Sequence, residues 1–409
     1  MKSQKFFKIG KRKIGPGNPC YIIFEVASTH ENDWNIAKKY VDQAKKTGAD
    51  ALKFQLYTAD KLLNPIASIL KPTYDYFKTA ETPRDWFPKL LELCKKADID
   101  LLCTPFDKNS ASFLNRLELP AVKIASGDLT NHQLLLHVAK FGKPIILSTG
   151  MAIMDEVKQA VSILKKSGCR ELTLLQCASV YPMPYEDANV RAMLSLQKEF
   201  GCVVGYSDNG SESHLVPLLA VALGASIIEK HVTSQKQRGS LDDQFSMTVS
   251  EFSEMVRRIR RLEKVYKGSF ERVISDLKKE FGKDVGKALG DGVKKPAELG
   301  ISRADGTRMT ETDERHWARR GLYPKINISK GSTVTENMLI SLRPDIGISA
   351  PSLENIIGKI AAEDLLPRLP IKLEEGKIKM FRRSDIQKTY TNPRDLQFAK
   401  ILQETALFD

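Results

Sequence analysis

The sequence predicts a (β/α)8 TIM barrel, an α/β fold, followed by a small β-rich domain. Between residue 20 and about residue 265, short β-branched and apolar runs alternate with amphipathic stretches of roughly 10–15 residues. There are eight such runs, and eight strand–helix units in about 250 residues are typical of a closed barrel. After this region the composition changes to a charged stretch dotted with glycine, and then to short strand-like runs separated by turns.

Each predicted strand is a short apolar run bounded by polar or turn-forming residues. In chain order they are Tyr21–Val26, Ala51–Leu56, Leu101–Thr104, Ala121–Ile124, Pro144–Leu147, Glu171–Leu175, Val203–Tyr206 and Ser226–His231. Between them, apolar residues recur at i, i+3 and i+4 in stretches that include Trp34–Thr47, Arg84–Lys96, Met154–Lys166 and Ser250–Tyr266. The alternation of the two patterns predicts parallel strands surrounded by helices.

The connection after the second predicted strand is unusually long. It runs from Tyr57 to about Pro83 and contains the aromatic run Tyr74-Asp-Tyr-Phe77. A loop of this length inside a compact domain is usually functional or partly structured. We therefore expect a lid or an interface segment here.

Shifts in composition divide the chain into four predicted parts. They are a barrel over 1–266, a charged linker over 267–316, a small β-rich domain over 317–379 and a C-terminal extension over 380–409. Phe270–Phe281 in the linker and Leu396–Leu407 in the extension have helical patterns. A domain of about 60 residues buries little core by itself, so we expect it to dock on another surface.

The overall composition is that of a soluble globular protein. Hydrophobic residues make up 42% and charged residues 28% of the chain, which excludes disorder of the whole chain. No run approaches the roughly 18 apolar residues of a membrane span, and Met1–Lys8 has no apolar core of a secretory signal. Six scattered cysteines without a CxxC pair indicate reduced thiols that serve in packing. We expect a cytoplasmic protein.

The net charge favours an anionic partner. There are 63 Lys and Arg against 50 Asp and Glu, which gives a formal net charge of +13. Acidic and basic residues interleave nearly everywhere, and no zinc-finger, RNA-recognition or basic-zipper signature is present. The sequence therefore disfavours nucleic acid and favours a small anionic substrate.

Polar residues stand at the carboxyl end of every predicted strand. Barrel enzymes carry their catalytic groups at these ends. The candidates are Glu25 with His30, Lys53 with Gln55, Thr104 with Asp107, Lys123 with Ser126 and Asp128, Ser148 to Gly150, Gln176 to Ser179, Ser207 to Asn209, and Glu229 to His231. Packing explains one such residue easily, but it explains eight together poorly.

Two lysines lie inside otherwise apolar strands. Lys53 and Lys123 would incur a large desolvation cost inside a barrel unless a negative group meets them. One interpretation pairs them with Glu25 or another barrel carboxylate. The other places both ammonium groups on a substrate phosphate or carboxylate, and the small-residue turn at Ser148 supports it by offering backbone N–H groups and hydroxyls to an oxyanion.

Histidines are scarce, and two of the six follow predicted strands. His231 ends the eighth strand and His30 follows the first. Each could be a metal ligand, an acid/base group or a structural residue, and the pattern does not choose among these. His132, His137, His214 and His316 fall on predicted helices or helix starts, where a surface position is expected.

Seven barrel motifs occur in the order found in one enzyme family. They are Gly48-Ala-Asp-Ala-Leu-Lys-Phe-Gln55, Thr104-Pro-Phe-Asp107, Lys123-Ile-Ala-Ser-Gly-Asp-Leu-Thr-Asn131, Ser148-Thr-Gly-Met151, Tyr181-Pro-Met-Pro-Tyr-Glu-Asp187, Val204-Gly-Tyr-Ser-Asp208 and Ile228-Glu-Lys-His231. Ala288-Leu-Gly-Asp-Gly and Arg343-Pro follow. From about Lys8 to Gly376 the chain resembles the sialic acid synthase family, which condenses phosphoenolpyruvate with an N-acylated hexosamine to give nine-carbon 2-keto acids such as N-acetylneuraminate, legionaminate or pseudaminate.

The resemblance implies a barrel followed by an antifreeze-like (SAF) domain, arranged as a domain-swapped homodimer. It implies that phosphoenolpyruvate is bound by six retained residues, which are Lys53, Thr104, Lys123, Ser126, Ser148 and Ser207. It also assigns Gln55, Ser179, Tyr181 and Asp242 to substrate binding. Arg343, from the Arg-Pro pair, would reach the sugar site of the partner.

The sequence departs from the family on the side of the sugar and the metal. Asn209 replaces one of two metal-binding histidines, so a divalent Mn2+ or Mg2+ would be held by His231 with Asn209, or with His214 if its loop is rearranged. Asp128 replaces a glutamate, Thr29 an asparagine and Gln176 a histidine, and an insertion lies near Lys267–Gly286. These changes suggest an acceptor other than N-acetylmannosamine.

The resemblance implies a synthase that joins phosphoenolpyruvate to a sugar aldehyde and releases phosphate. Glu25, Asp128 and His231 are the expected catalytic groups, with the metal on His231 as a Lewis acid. Two alternatives remain open. They are a 2-keto acid synthase or aldolase for another aldehyde, and a ligand-binding relative without catalysis.

Overall fold

The computed structural model describes residues 6–65, 71–210, 214–236, 239–266, 269–298, 300–302, 308–391 and 396–404. Parts of the predicted linker and insertion, and the end of the predicted C-terminal helix beyond residue 404, lie outside these ranges. The described chain forms a barrel of parallel strands with helices around it and a smaller C-terminal unit against the mouth of the barrel.

A hairpin of two short strands, β1 (Phe7–Ile9) and β2 (Arg12–Ile14), precedes the barrel. The barrel strands are β3 (Tyr21–Glu25), β4 (Ala51–Leu56), β5 (Asp100–Pro105), β6 (Val122–Ile124), β7 (Ile145–Ser148), β8 (Leu172–Gln176), β9 (Val203–Asp208) and β10 (Ile227–Thr233). They are parallel in the order β5-β4-β3-β10-β9-β8-β7-β6, and β6 packs beside β5 so that the barrel is nearly closed. The predicted fold class is confirmed, and every predicted strand is present to within about two residues at each end.

Helices follow the strands as the periodicity predicts. They are α1 (Trp34–Thr47), α2 (Ala59–Leu62), α3 (Lys71–Thr79), α4 (Trp86–Ala97), α5 (Lys108–Arg116), α6 (His132–Ala139), α7 (Met154–Lys166), α8 (Tyr185–Ala188), α9 (Ala192–Phe200) and α10 (Leu215–Ala222). A two-residue strand, β11 (Met247–Thr248), pairs with β10 and leads into α11 (Val249–Tyr266). The predicted helices over 34–47, 84–96, 154–166 and 250–266 are found with shifts of at most two residues.

The first helix shows how local sequence sets these bounds. Asp33 precedes α1, and its carboxylate accepts hydrogen bonds from the backbone N–H groups of Asn35 and Ile36, as an N-cap does. Gly48 ends the helix with φ 79°, a left-handed conformation that glycine adopts without strain. Between these ends the apolar side of α1 packs on α4 and α11.

The amino-terminal hairpin closes the bottom of the barrel. Phe7, Ile9 and Ile14 are buried in one cluster with inward-facing residues of the strands, including Tyr21 and Ile146. The sequence did not predict this hairpin because two strands of three residues are too short for an alternating pattern to be recognised. The opposite end of the barrel stays open.

The segment predicted as a linker is packed on the barrel. It forms α12 (Phe270–Phe281) and α13 (Asp284–Leu289), and the first of these was predicted with the same bounds. Their apolar side chains Val273, Leu277 and Val285 belong to the main hydrophobic core. The charged residues that suggested a linker occupy the outer faces of these amphipathic helices.

The C-terminal region begins with β12 (Ile301–Ser302), β13 (Arg308–Met309) and α14 (Glu311–Ala318). Then come β14 (Gly321–Pro324), β15 (Leu339–Leu342), α15 (Leu353–Ile356), β16 (Ile371–Glu374) and β17 (Lys377–Met380). A separate core joins Leu322, Ile356 and Ile378. The extension forms α16 (Ile386–Thr389) and α17 (Leu396–Gln403), and Phe398 packs there against Trp317 of α14.

All six cysteines are buried and free of disulfides. Among the described residues, the helices are too short or too polar to cross a membrane.

Candidate active site

A cavity of about 340 Å3 opens at the carboxyl ends of the barrel strands. All residues with an assigned catalytic, substrate-binding or metal-binding role, except Asp128, line it. These are Glu25, Lys53, Gln55, Thr104, Lys123, Ser126, Ser148, Ser179, Tyr181, Ser207, Asn209, His231, Asp242 and Arg343. Of the other strand-end candidates, His30, Asp107, Thr149, Gly150, Gln176, Asp208 and Lys230 are not among the lining residues. Residues that were given no catalytic, substrate-binding or metal-binding role from the sequence also contribute, namely Phe77, Phe106, Ala125, Gly127, Met151, Cys177, Glu229, Leu241, Phe245, Glu314 and Ala318.

Lys53 lies at the floor of the cavity between two carboxylates. Its Nζ is 2.6 Å from Glu25 Oε2 and 3.7 Å from Glu229 Oε1, and it donates to Thr104 Oγ1 at 3.1 Å. Burial alone would lower the pKa of this lysine, but Glu229 and Glu25 outweigh burial and raise it above its ordinary value. Lys53 therefore stays protonated, as an ammonium group.

Lys123 reaches the same floor from β6. Its Nζ donates to Ser148 Oγ at 2.8 Å and to the Ile124 carbonyl at 3.3 Å, and it lies 3.4 Å from Glu229 Oε1. Burial lowers the pKa of Lys123, and the nearby Lys53 ammonium adds to this effect while Glu229 opposes it. Its charge is thus less fully compensated than that of Lys53, and an incoming anion would stabilise it.

The two carboxylates of the floor differ in their surroundings. Burial raises the pKa of Glu25 in spite of its contact with Lys53, and Gln55 Nε2 donates to its Oε1 at 2.9 Å. Burial also disfavours the Glu229 carboxylate, but Lys123 and Lys53 outweigh it and lower the pKa of Glu229. Glu229 accordingly stays ionised more easily than Glu25, which suits Glu25 better to proton transfer.

Glu229 was named among the strand-end candidates but was given no role in the site, although the sequence contained a further signal. In β10, alternate side chains share a face, so Glu229 and His231 point into the cavity. Lys230 points to the other side, where its Nζ pairs with Asp208 Oδ2 at 2.7 Å. Applying period-two alternation to Ile228–His231 would have placed Glu229 on the same inward face as His231.

Hydroxyl groups surround the floor. Ser126 Oγ accepts a hydrogen bond from the Gly150 N–H at 3.0 Å, and Ser207 Oγ donates to Glu229 Oε1 at 3.3 Å. A Cβ atom on Gly150 would come within 2.8 Å of Ser126 Oγ. Any side chain at this position would therefore crowd the turn after β7, and glycine avoids this contact. Together with Ser148 and Thr104, these groups give the floor the donors that an oxyanion needs.

His231 has the properties of a metal ligand. Burial lowers the pKa of its ring to about 3, so the imidazole is neutral, and its buried Nδ1 has no hydrogen-bond partner. Asn209 donates from Nδ2 to Cys177 Sγ at 3.3 Å and to the Ala178 carbonyl at 2.8 Å, so only its amide oxygen is left to bind a cation. In the part of the chain that the structure describes, no three His, Cys, Asp or Glu residues converge on one point. A metal here would take its remaining ligands from water and substrate.

Two other histidines lie outside the cavity. His30 is fully buried, where its Nε2 lies 2.8 Å from Thr82 Oγ1 and its Nδ1 accepts from the Asn32 N–H at 2.9 Å. His214 precedes α10, and its Nε2 lies 3.0 Å from the Glu251 carbonyl. These contacts favour the structural interpretation of His30, and the structure does not bring His214 into the cavity, where the sequence suggested it could replace a metal ligand if its loop were rearranged.

Aromatic side chains form one wall of the cavity. The rings of Tyr181 and Phe245 lie 4.7 Å apart, and Phe245 also packs 5.0 Å from His231 in an edge-on contact. Phe77 of α3 lines the same cavity. The long connection after β4 therefore borders the mouth of the barrel, and its described part is a helix that contributes to the wall.

Arg343 enters the cavity from the C-terminal region of its own chain. Its guanidinium lies 5.5 Å from the centre of the Phe106 ring, a cation–π arrangement. Glu314 and Ala318 of α14 line the cavity beside it. The docking expected for the small domain is present here on the barrel of the same chain.

Asp128 does not face the cavity. Both of its oxygens bind Arg320, with Nε 2.6 Å from Oδ1 and Nη2 3.3 Å from Oδ2, and Asn131 Nδ2 also donates to Oδ1 at 2.9 Å. Both members of the ion pair are buried. The structure thus does not place Asp128 where a catalytic acid or base would meet the substrate, because both of its oxygens face Arg320 instead of the cavity.

Glu311 ties α14 to the barrel. This buried carboxylate accepts hydrogen bonds from the backbone N–H groups of Met151 at 2.7 Å, Ala297 at 2.5 Å and Ser179. Met151 and Ser179 belong to the turns after β7 and β8, which also border the cavity. A residue of the C-terminal region thus orders two turns of the site.

This chain is similar to known proteins both in sequence and in structure. The model of the NeuB family matches residues 40–271. An uncharacterized protein of Methanocaldococcus jannaschii, MJ1065, is 38% identical over 87% of this chain and 94% of its own. The N,N'-diacetyllegionaminic acid synthase of Campylobacter jejuni is 36% identical over 84% of this chain and 96% of its own. The solved spore coat polysaccharide biosynthesis protein SpsE of Bacillus subtilis has a TM-score of 0.71 at 29% identity and covers 89% of this chain and 96% of its own.

Proposed function

The chain belongs to the NeuB family, whose synthases form carbon–carbon bonds from phosphoenolpyruvate, and we propose that its acceptor is the open-chain aldehyde of an N-acylated hexosamine. The products are then a nine-carbon, sialic-acid-like 2-keto acid and inorganic phosphate. The observation that carries the proposal is the pair of buried ammonium groups, Lys53 and Lys123, on either side of the Glu229 carboxylate at the floor of the cavity.

Phosphoenolpyruvate is the anion in this scheme. Lys53 and Lys123 contact its phosphate and carboxylate, and the hydroxyls of Ser148 and Ser207 supply hydrogen bonds. Charge-assisted hydrogen bonds of this kind are the strong ones. The substrate would compete with Glu229 for Lys123, whose lowered pKa indicates that it is incompletely compensated.

The acceptor then occupies the outer part of the cavity. Asp242 and Arg343 offer opposite charges there, and Tyr181 contributes an aromatic surface. The C3 atom of phosphoenolpyruvate attacks the aldehyde carbon, and the aldehyde oxygen takes up a proton. Water adds at C2 and gives up one proton, which balances the proton taken up by the aldehyde oxygen. The bond from C2 to the phosphate oxygen then breaks while the new C2 hydroxyl passes its proton to the departing phosphate, which leaves the ketone and inorganic phosphate. Glu25 is the group best placed to move these protons, because burial raises its pKa.

Synthases of this family are generally metal-dependent. His231 and the amide oxygen of Asn209 would hold the ion, which would polarise the aldehyde as a Lewis acid. An oxygen ligand favours Mg2+ or Mn2+ over softer metals.

A domain-swapped homodimer is part of the proposal. The contact between Arg343 and the cavity can be made within one chain, as here, or by exchange between two chains. Mixing Lys123→Ala and Arg343→Ala chains under exchange conditions separates the two cases. Exchange predicts that about a quarter of the sites regain full activity, since the intact barrel then receives the intact arginine of its partner, whereas docking within one chain predicts no recovery.

The test of the function is phosphate release from phosphoenolpyruvate across a panel of N-acylated hexosamines, with Mn2+ and with EDTA, and mass spectrometry of the product. Acceptor-dependent release with a product of the condensation mass supports the proposal. Release with a non-sugar aldehyde alone would indicate another 2-keto acid synthase. Binding of phosphoenolpyruvate with no release under any acceptor would indicate a ligand-binding protein. A cytoplasmic location stays a prediction.

A further inference from the structure

A chain of hydroxyl groups joins α3 to the edge of the cavity. The Tyr76 hydroxyl lies 2.9 Å from Ser28 Oγ and 3.3 Å from Ser240 Oγ, and it accepts the Leu241 N–H at 2.8 Å. Ser28 Oγ donates in turn to Asp242 Oδ2, and the Ser28 N–H donates to the same oxygen at 2.8 Å. Three separate segments of the chain therefore meet at one carboxylate of the cavity wall.

The chemistry of these groups fixes the direction of the chain. An ionised Asp242 can only accept hydrogen bonds, so the single hydroxyl proton of Ser28 points to it. Ser28 Oγ must then accept from Tyr76 or from Ser240, whose Oγ lies 2.8 Å away. Each donor polarises the next, so a hydroxyl two steps removed still stabilises the carboxylate. This effect opposes burial, which raises the pKa of Asp242.

We propose that Tyr76 is a positioning residue for the acceptor sugar, which acts by holding Asp242 in its orientation at the outer end of the cavity. The inference rests on the proposed function, since it assigns Asp242 to the acceptor. Among the described residues, the Tyr76 side chain makes its hydrogen bonds and ring contacts with Ser28, Ser240, Leu241 and Phe77, whereas Lys53 and Lys123 lie at the phosphoenolpyruvate end of the cavity. Loss of the Tyr76 hydroxyl should consequently weaken the binding of one substrate and spare the other.

The same helix supplies a matched control. The Tyr74 hydroxyl donates to Asp60 Oδ1 at 2.6 Å, on the exposed side of α3. Tyr76→Phe and Tyr74→Phe thus remove the same hydroxyl oxygen from the same helix. The first loses the contacts with Ser28, Ser240 and Leu241, and the second loses the contact with Asp60. They differ in whether the lost contacts lead to Asp242.

The experiment measures the KM for the acceptor and for phosphoenolpyruvate, with kcat, in the wild-type protein and in both variants. Tyr76→Phe is expected to raise the acceptor KM about tenfold, the effect of one lost hydrogen bond to a charged network. Its KM for phosphoenolpyruvate and its melting temperature should match those of the wild type, and Tyr74→Phe should match it throughout. Ser28→Ala interrupts the same chain one step closer to Asp242 and should raise the acceptor KM at least as much.

The outcomes are distinguishable. Unchanged acceptor KM values in Tyr76→Phe and Ser28→Ala would overturn the inference and leave the proposed function intact. Equal increases in both KM values, or a matching change in Tyr74→Phe, would show a general structural role and would also overturn it. If the wild-type protein releases no phosphate with any acceptor, the proposed function is wrong, and this inference, which depends on it, is wrong as well.

Discussion

Arg320 binds both carboxylate oxygens of Asp128, at 2.6 Å from Nε and 3.3 Å from Nη2, in a fully buried contact. Its remaining donors go to the backbone carbonyls of Lys61, Phe106 and Ser341. Arg320 belongs to the C-terminal region, whereas Asp128 follows strand β6 of the barrel. One ion pair therefore fastens the C-terminal region to the barrel wall beside the cavity.

Replacing Asp128 by Asn should destabilise the protein far more than it alters the chemistry. The guanidinium of Arg320 would be left buried without its counter-charge, and breaking such a pair costs about 3–5 kcal/mol. We expect a lower urea midpoint of unfolding and faster proteolysis between the barrel and the C-terminal region. Urea titration and limited proteolysis measure these effects.

The control for this variant is Asp155→Asn, which removes an exposed carboxylate that pairs with Lys158 at 3.6 Å. A surface pair of this kind contributes at most about 1 kcal/mol. If Asp128→Asn instead unfolds like the wild type while its kcat falls 100-fold or more, Asp128 acts in catalysis, as the sequence first suggested.

Replacing Lys123 by Ala should raise the KM for phosphoenolpyruvate roughly 100-fold, because a buried charge-assisted contact with the substrate is lost. Steady-state phosphate release gives the value. Lys158→Ala, which removes a half-exposed lysine on α7, should leave both KM values unchanged. An unaltered KM in Lys123→Ala would remove this lysine from the substrate site.

The barrel could be predicted from the sequence because its information is local. Each strand is a short apolar run and each helix has its own period, so β4 and α1 were predicted with the bounds that the structure shows. The same locality explains why the contact of Asp128 was not predicted. Its partner Arg320 lies 192 residues away, and no pattern around Asp128 indicates that an arginine will reach it.

The residues of the candidate site could also be predicted where the signal is local, and they could not be predicted where the contact joins distant parts of the chain. Polar residues at strand ends are local features, and each of the eight barrel strands, or the turn that follows it, contributes at least one of them to the cavity. What the sequence did not indicate comes from distant segments that meet only in the folded chain. Examples are Glu314 from α14 and the carboxylate of Glu311 that orders two turns of the mouth.

The pH dependence of kcat/KM for phosphoenolpyruvate should report Lys123. The lysine binds the anion in its protonated form, so binding is lost as the pH rises through the pKa of Lys123 in the free enzyme. Burial, reinforced by Lys53, lowers that pKa below the ordinary 10.5. The alkaline decline should accordingly begin at a lower pH than an ordinary lysine would give.

Lys123→Arg tests this assignment, since a guanidinium stays protonated throughout the accessible range. The variant should bind the substrate more weakly because of its different geometry, and its alkaline decline should move to higher pH. A decline at the same pH in wild type and Lys123→Arg would assign it to another group.

The approach of Arg343 to the cavity depends on a glycine in the barrel. A Cβ atom on Gly127 would lie 2.7 Å from the Ala318 carbonyl oxygen and 2.7 Å from Arg343 Nη2. The arginine can turn aside, but the backbone of α14 cannot yield without moving the helix. Gly127→Ala should therefore displace Arg343 and Ala318 from the cavity wall.

Because Arg343 and Ala318 border the outer part of the cavity, their displacement should weaken binding of the acceptor. We expect Gly127→Ala to raise the acceptor KM at least tenfold, as loss of a charge-assisted contact would, while isothermal titration with phosphoenolpyruvate shows wild-type affinity. Gly286→Ala is the matched control, since a Cβ atom there meets nothing within 4 Å. Equal loss of affinity for both substrates would mean that the substitution disturbs the turn after β6 and the position of Lys123 at the floor of the cavity. An unchanged acceptor KM would mean that Arg343 does not bind the acceptor.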